Sequence, residues 1–374
     1  MNRYRTLLKP NVVFTLAYTI SLVMFFLYQS GLVKSMILLY RHPLPFVGSL
    51  FYFGLLSFQI FLLSAFQKVR IRRIHTRIHL SIPFIDCMLS ALLLVSFYGI
   101  VKGAGELLSL AVTKSSIFIL LAGRNKDLIE WGSGYTLLTL MAFVPLNLTL
   151  YRVDTRGRLI KYLSALSLIL SGLAYAARLR LIYVIVVIVT ASIRRKYYNT
   201  RPRILIIAII SIVVVGLLGI SFIARSGNKD LRGVERTELV SAFTNIIDYF
   251  SSTVLFSIHG LDLVKHENDF NSVRLRFGDS QTILGYTNSG RYWNIFSIFG
   301  LFSYFYLILE CFIIVQVWKE FDAGERSGLT IYPMVLYSLM EGSRMDPLMT
   351  LDYLIPFILS CILVSISGNG KKTD

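Results

Sequence analysis

The chain has 374 residues, of which 55% are apolar and only 16% charged, and its formal net charge is +17; the mean hydropathy is +0.64. Soluble globular proteins carry about 25% charged residues, so composition excludes an ordinary soluble domain and points to an integral membrane protein. The basic excess lies mostly in short loops between apolar runs, which makes it a topology signal and not a nucleic-acid footprint.

Taken in chain order, the first apolar run, 12–33, follows Arg3, Arg5 and Lys9. It exceeds the roughly 7–15 residues of a cleaved signal segment and reads as an uncleaved first span. Further runs lie at 44–66, 82–101, 133–151, 159–177, 181–193, 204–224, 293–317, 329–342 and 348–366. A bilayer core of about 30 Å takes about 20 helical residues. The pattern therefore predicts an all-α polytopic membrane protein with about ten transmembrane helices, a single integral membrane domain over 1–374. The runs 181–193 and 329–342 are short for a crossing and imply tilt, breakage or extension by their flanks. Cys87, Cys311 and Cys361 fall inside apolar runs without metal-ligand spacing and read as small buried hydrophobes.

The stretch 102–131 is apolar but carries Glu106 and Lys114. Leaving it outside the span count, with both termini cytoplasmic, puts more than half of the 38 basic residues in inner loops. Letting it cross would move Arg152, Arg156 and Arg158, and Arg194, Arg195 and Lys196, to the outer side against the positive-inside bias. It is expected to be a re-entrant or interfacial outer segment. Residues 225–292 form the one long loop, on the outer side; apolar residues at helical spacing within 238–264 predict an ordered helical element on the membrane surface.

On this topology Arg178 and Arg180 occupy a tight outer turn, and Arg225, Arg291 and Arg344 each lie at the outer end of a span, with Arg274 in the long loop. Arginine suits phosphate because its planar fork binds two oxygens and stays charged. Such a ring suits an anionic ligand, and a lipid-linked pyrophosphate fits; the plainer reading is that these side chains snorkel to ordinary head groups.

The layout resembles the bacterial O-antigen, or Wzy-type, repeat-unit polysaccharide polymerases, grouped with the O-antigen ligases among GT-C-like membrane glycosyltransferases. The resemblance rests on AARLRLIYVIVVIV, on the loop opening ARSGNKDLRGVERTE and on the loop exit GYTNSGRYWNIFSIFGLFSYFYLIL. An R-x10-G pattern described for the family has one match, Arg274 to Gly285. The resemblance implies transfer of a growing glycan from its polyprenyl-pyrophosphate carrier to a sugar hydroxyl of the next lipid-linked unit, at the outer face of the bacterial cytoplasmic membrane. It implies undecaprenyl-pyrophosphate-linked oligosaccharides and membrane lipids as partners, a chain-length regulator protein as another, and neither cofactor nor metal. Arg178, Arg180, Arg225, Arg274, Arg291 and Arg344 would contact the pyrophosphate. His259, whose free pKa suits a base, is slightly preferred to Glu341 for deprotonating the acceptor.

Other patterns are weaker. His259, Asp262 and His266 share a helical face but lack a fourth ligand for zinc, and His75 and His79 lack a partnering glutamate. An O-antigen ligase would use the same donor. A lipid-linked oligosaccharide flippase would be expected to show charges deep within several spans and two comparable halves.

Overall fold

The computed structural model describes residues 6, 8–30, 44–69, 81–113, 133–174, 178–197, 251, 253–262, 290–342 and 351–366, and among them every regular element is helical. The helices are α1 (Pro10–Gln29), α2 (Phe46–Ala65), α3 (Ile82–Thr113), α4 (Ser133–Leu140), α5 (Phe143–Thr149), α6 (Thr155–Ala174) and α7 (Arg178–Tyr197). After these come α8 (253–262), then α9 (Arg291–Phe299), α10 (Ser303–Ala323), α11 (Arg326–Glu341) and α12 (Leu351–Ile366). Among the described residues, four helical stretches are long and apolar enough by length and composition to cross a membrane: Pro10–Leu27, Phe46–Lys68, Ile82–Lys102 and Arg291–Ala323, the last interrupted at Gly300.

The helices pack as two groups joined through α11. One contains α1, α2, α9 and α10, the other α3 to α7 with α12, and α11 touches α1, α5, α7, α10 and α12. Its burial explains its sequence: from Gly328 to Leu339 every residue is buried, as expected of a helix apolar all round. The short run 329–342 belongs to a helix enclosed by others along most of its length.

Several boundaries differ from the sequence-based expectation. Helix α3 continues to Thr113, so the first part of 102–131 is a prolongation of the preceding helix; 114–132 lies outside the described residues. The run 133–151 is broken between α4 and α5 at Met141–Ala142, and α5 is buried on all sides. The run 204–224 lies outside the described residues. Cys311 is buried as expected, but Cys87 is exposed.

The largest departure concerns 293–317. A straight helix would hold residues 291 and 310 about 28 Å apart, yet the side chains of Arg291 and Glu310 form an ion pair. The chain runs along α9, reverses at Gly300, whose φ of 55° suits glycine, and returns along α10. Phe296 meets Tyr304 at 5.4 Å and Phe299 stacks on Tyr306 at 5.3 Å across the reversal. Helix α10 then stops at Gly324, φ 80°, with Glu325 N–H donating to Glu320 O at 2.9 Å and Gly324 N–H to Phe321 O at 3.1 Å, the paired bonds of a Schellman stop.

Part of the long loop is helical and packs into the bundle: in α8, Val254, Leu255 and Ile258 are fully buried. It packs between α2 and α9, with the Gly260 Cα on the Trp293 indole and Ile258 O against Gly48. The Asp262 carboxylate accepts a hydrogen bond from Gly48 N–H at 3.2 Å, satisfying an amide in the first turn of α2 and placing negative charge at its dipole's positive end.

The opposite end of the bundle gathers polar residues from helix ends and the 150–154 turn. Lys319 Nζ donates to Phe66 O at 2.8 Å, Gln67 Nε2 donates to Asn11 Oδ1 at 2.9 Å, and Arg152 forks onto Asp86 and Asp154, with Nη2 donating to Asp154 Oδ2 at 2.7 Å. The hydrogen bond from Arg152, and next that from the Gly157 amide, hold the Asp154 carboxyl well below the usual carboxylate range. Burial, and next the nearby Arg152 charge, lower the Arg326 guanidinium, which sets the start of α11 at this same end.

Two outcomes test these contacts. Gly48→Ala would drive a Cβ to 2.1 Å from Ile258 O, whereas Gly54 in the same helix has open space. Unfolding in detergent should show Gly48→Ala destabilised by about 1–3 kcal/mol and Gly54→Ala unchanged or stabilised by up to about 1 kcal/mol. The second outcome concerns pH. Asp154's folded value is depressed, so its contribution is complete above the ordinary 3.8 and is lost as pH falls below it. The melting-temperature gap between the wild type and Asp154→Asn should therefore be constant from neutral pH to about 5 and shrink below about 4.

Candidate functional site

Arg291 opens α9 directly after Gly290, whose φ is 78°. Gly290 packs so closely on α8 that a Cβ there would meet Ser257 Oγ at 2.2 Å. That contact fixes where Arg291 enters the bundle. Its side chain is 2% exposed, as is that of Glu310, and Nη2 pairs with Glu310 Oε2. Gln59 Nε2 donates to the same carboxylate oxygen at 3.2 Å, and Tyr292 OH donates to Gln59 Oε1 at 2.8 Å. The Phe14 ring lies 5.9 Å from the guanidinium carbon, within cation–π range. Tyr18, Tyr52 and Tyr292 cluster beside the pair, with ring centroids 6.1 Å and 5.5 Å apart.

Helical rise gives the height of this cluster. Glu310 stands about 14 Å along α10 from Lys319, and Tyr18 about 16 Å from the far end of α1 at Gln29. The charges therefore sit midway along the helices. Arg291 stands at the start of α9, and the α9–α10 reversal sets it level with the middle of α10.

The end of α11 reaches the same level. Tyr18 OH donates to Gly342 O at 2.9 Å, and the Arg291 guanidinium abuts the Gly342 Cα, since a Cβ there would lie 2.7 Å from Nη1. The adjacent Glu341 is buried, at 8% exposure. One turn earlier, the Tyr337 ring meets Tyr183 of α7 at 5.4 Å and stacks on Tyr353 of α12 at 5.9 Å. Glu341 and Arg180 both lie within electrostatic reach of the Tyr337 hydroxyl. Arg180 itself is 5% exposed. Tyr183 OH donates to Asn147 Oδ1 at 2.6 Å, which anchors α7 to α5 just below Arg180.

Of the residues singled out in the sequence, Arg291 abuts the end of α11, Glu341 is its last residue, and Arg180 lies within electrostatic reach of Tyr337 one turn earlier. His259 lies half-buried on α8, beside the Gly260–Trp293 contact. Arg178 begins α7, but its side chain lies outside the described residues, as do Arg225, Arg274, Gly285, Arg344, His75, His79 and His266 entirely. Among the described residues no three His, Cys, Asp or Glu side chains group to hold a metal ion.

Glu310, Gln59 and Tyr337 were not singled out in the sequence. Glu310 had a signal: it is a lone carboxylate inside the apolar run SYFYLILECFIIV, and such a group is buried only when partnered. Gln59, inside SFQIFLL, carries the same signal more weakly.

Chemically the cluster offers a buried cation and a buried carboxylate, both within electrostatic reach of one phenol. Groups so placed interact strongly with an anion or a proton because the local dielectric is low. Among the described residues every regular element is helical, several helices are long and apolar enough to cross a membrane, and buried charges lie midway along the bundle; no family model, curated protein or solved structure matches the chain.

Breaking the central pair should be costly. Glu310→Ala leaves a buried guanidinium uncompensated and should destabilise the protein by about 3–5 kcal/mol, read as a lowered melting temperature in detergent. A change below about 0.5 kcal/mol would contradict the pair.

Proposed function

We propose that the chain is a ten-span glycosyltransferase of the cytoplasmic membrane, with both termini cytoplasmic, that polymerises polyprenyl-pyrophosphate-linked oligosaccharide repeat units on the outer side. The observation that carries the reading is that Arg180 and Glu341, both buried, lie within electrostatic reach of the same Tyr337 hydroxyl. They come from segments far apart in sequence, and their side chains suit anion binding and base catalysis. The gathering of Lys319, Arg152 and Arg326 at the opposite end of the bundle agrees with an inner face rich in basic residues.

In the proposed reaction the acceptor sugar hydroxyl attacks the anomeric carbon of the donor glycan. A new C–O glycosidic bond forms as the bond from that carbon to the pyrophosphate oxygen breaks. Polyprenyl pyrophosphate departs with the electron pair, and the hydroxyl proton passes to a base. Arg180 neutralises charge developing on the leaving diphosphate. Glu341 accepts the proton; its burial at the end of α11, within electrostatic reach of the same Tyr337 hydroxyl as Arg180, favours it over His259. The diphosphate would have to sit sunk within the bundle to meet Arg180. Arg178, Arg225, Arg274 and Arg344 remain proposed contacts nearer the outer rim.

A second reading, transport of the lipid-linked oligosaccharide, has its own support in the Arg291–Glu310 pair, because ionisable residues at mid-height mark substrate or proton paths in many transporters.

Deletion of the gene separates these readings. A polymerase predicts single repeat units on the surface lipid in place of long chains. Unchanged long chains would reject it, long chains stranded on the carrier lipid would indicate a ligase, and units retained on the cytoplasmic side would indicate a transporter. In the complemented strain Arg180→Met should reduce chain elongation on the order of 10²–10³-fold, and Glu341→Gln on the order of 10²–10⁴-fold.

A further inference from the structure

The last turn of α11 rests on a cation that is itself held from behind. Arg291 Nη1 abuts the Gly342 Cα while Nη2 is gripped by Glu310. Gln59 and Tyr292 extend the grip to α2 and back to α9 through bonds of 3.2 Å and 2.8 Å, and Tyr18 ties the Gly342 carbonyl to α1 at 2.9 Å. The end of a helix presents partial negative charge, so the guanidinium is favourably placed there. It cannot swing aside cheaply: leaving Glu310 would strand a buried carboxylate, and stranded buried charges are strongly disfavoured. Glu341 is the residue immediately before the glycine so fixed. Arg291 is only 1% exposed, which suits a strut better than a ligand contact.

We propose that Arg291 and Glu310 are positioning residues. Together they form a strut that sets the last turn of α11, and through it the Glu341 carboxylate relative to Arg180. The proposal rests on the glycosyl-transfer reading of Glu341 and Arg180, and it removes Arg291 from the diphosphate contacts expected from sequence.

The strut has two measurable signatures in the full-length protein in nanodiscs. The first is kinetic, using undecaprenyl diphosphate as the binding probe and lipid-linked units from the deletion strain as substrate. Misplacing a reacting group by about 1 Å costs on the order of a hundredfold. Arg291→Met and Glu310→Gln should therefore lower kcat to that extent alike, with KM and diphosphate affinity held within about twofold. Loss of diphosphate binding in Arg291→Met but not in Glu310→Gln would overturn the proposal, because it would make Arg291 a direct ligand.

The second signature needs no activity. Gly342→Ala must displace the guanidinium, so it should lower the melting temperature in the wild-type background and much less in the Arg291→Met background. Additive effects of the two substitutions would also overturn the strut. If the wild type neither binds the probe nor elongates, the glycosyl-transfer reading falls, and this stability cycle still decides whether Arg291 holds the end of α11.

Discussion

A guanidinium and a carboxylate, both withdrawn from water, face each other halfway along the bundle, and much of the architecture follows from keeping them together. Burying either charge alone would cost several kcal/mol, and even the pair recovers that cost only if its remaining hydrogen-bonding positions are filled. Gln59 supplies one such bond to Glu310. Tyr292 keeps the Gln59 amide oriented, and the Phe14 ring covers the cation. The α9–α10 reversal at Gly300 is the backbone condition for the pair, because only a chain that doubles back can bring residues 291 and 310 level. One polar interaction thereby joins α9 and α10 to α1, α2 and the end of α11.

The fold also explains why the catalytic candidates sit where they do. Helix α11 is enclosed by neighbours along its length, so its last turn is presented at the centre of the molecule and not at a rim. Close approaches at Gly48, Gly260 and Gly290 let α8 enter the bundle against α2 and α9, where larger residues would hold it out. The two ends are fastened differently. An Asp262 carboxylate caps α2 at one, and the Arg152 fork with Lys319 closes the other. Between these fastenings lies the buried Arg291–Glu310 pair.

Much of the helical architecture was legible in the sequence because an apolar run of about 20 residues has few other uses. Helices α1, α2, α6 and α12 fall within a few residues of the predicted runs. What misled was the assumption that every run is one straight crossing. The run 293–317 hides a reversal, because its apolar residues continue through Gly300 and hydropathy does not register direction. The run 133–151 hides the break between α4 and α5 for the same reason. At the site, Arg180, Arg291 and Glu341 were found because charges near apolar runs are conspicuous. Their convergence was not legible, since it depends on which helices neighbour α11. Glu310 was overlooked although its isolation among apolar residues carried the information. The depth of Arg291 could not be read without knowing that the chain turns back.

The most direct test is a cryo-electron microscopy map of the protein in lipid nanodiscs, with side chains resolved around α9 to α11. The account predicts the Arg291 guanidinium seated between Glu310 and Gly342 near the bilayer midplane, with Arg180 and Glu341 flanking Tyr337 at a similar depth. A continuous helix through residue 300, carrying Arg291 to the outer head groups and leaving Glu310 with another partner, would contradict it.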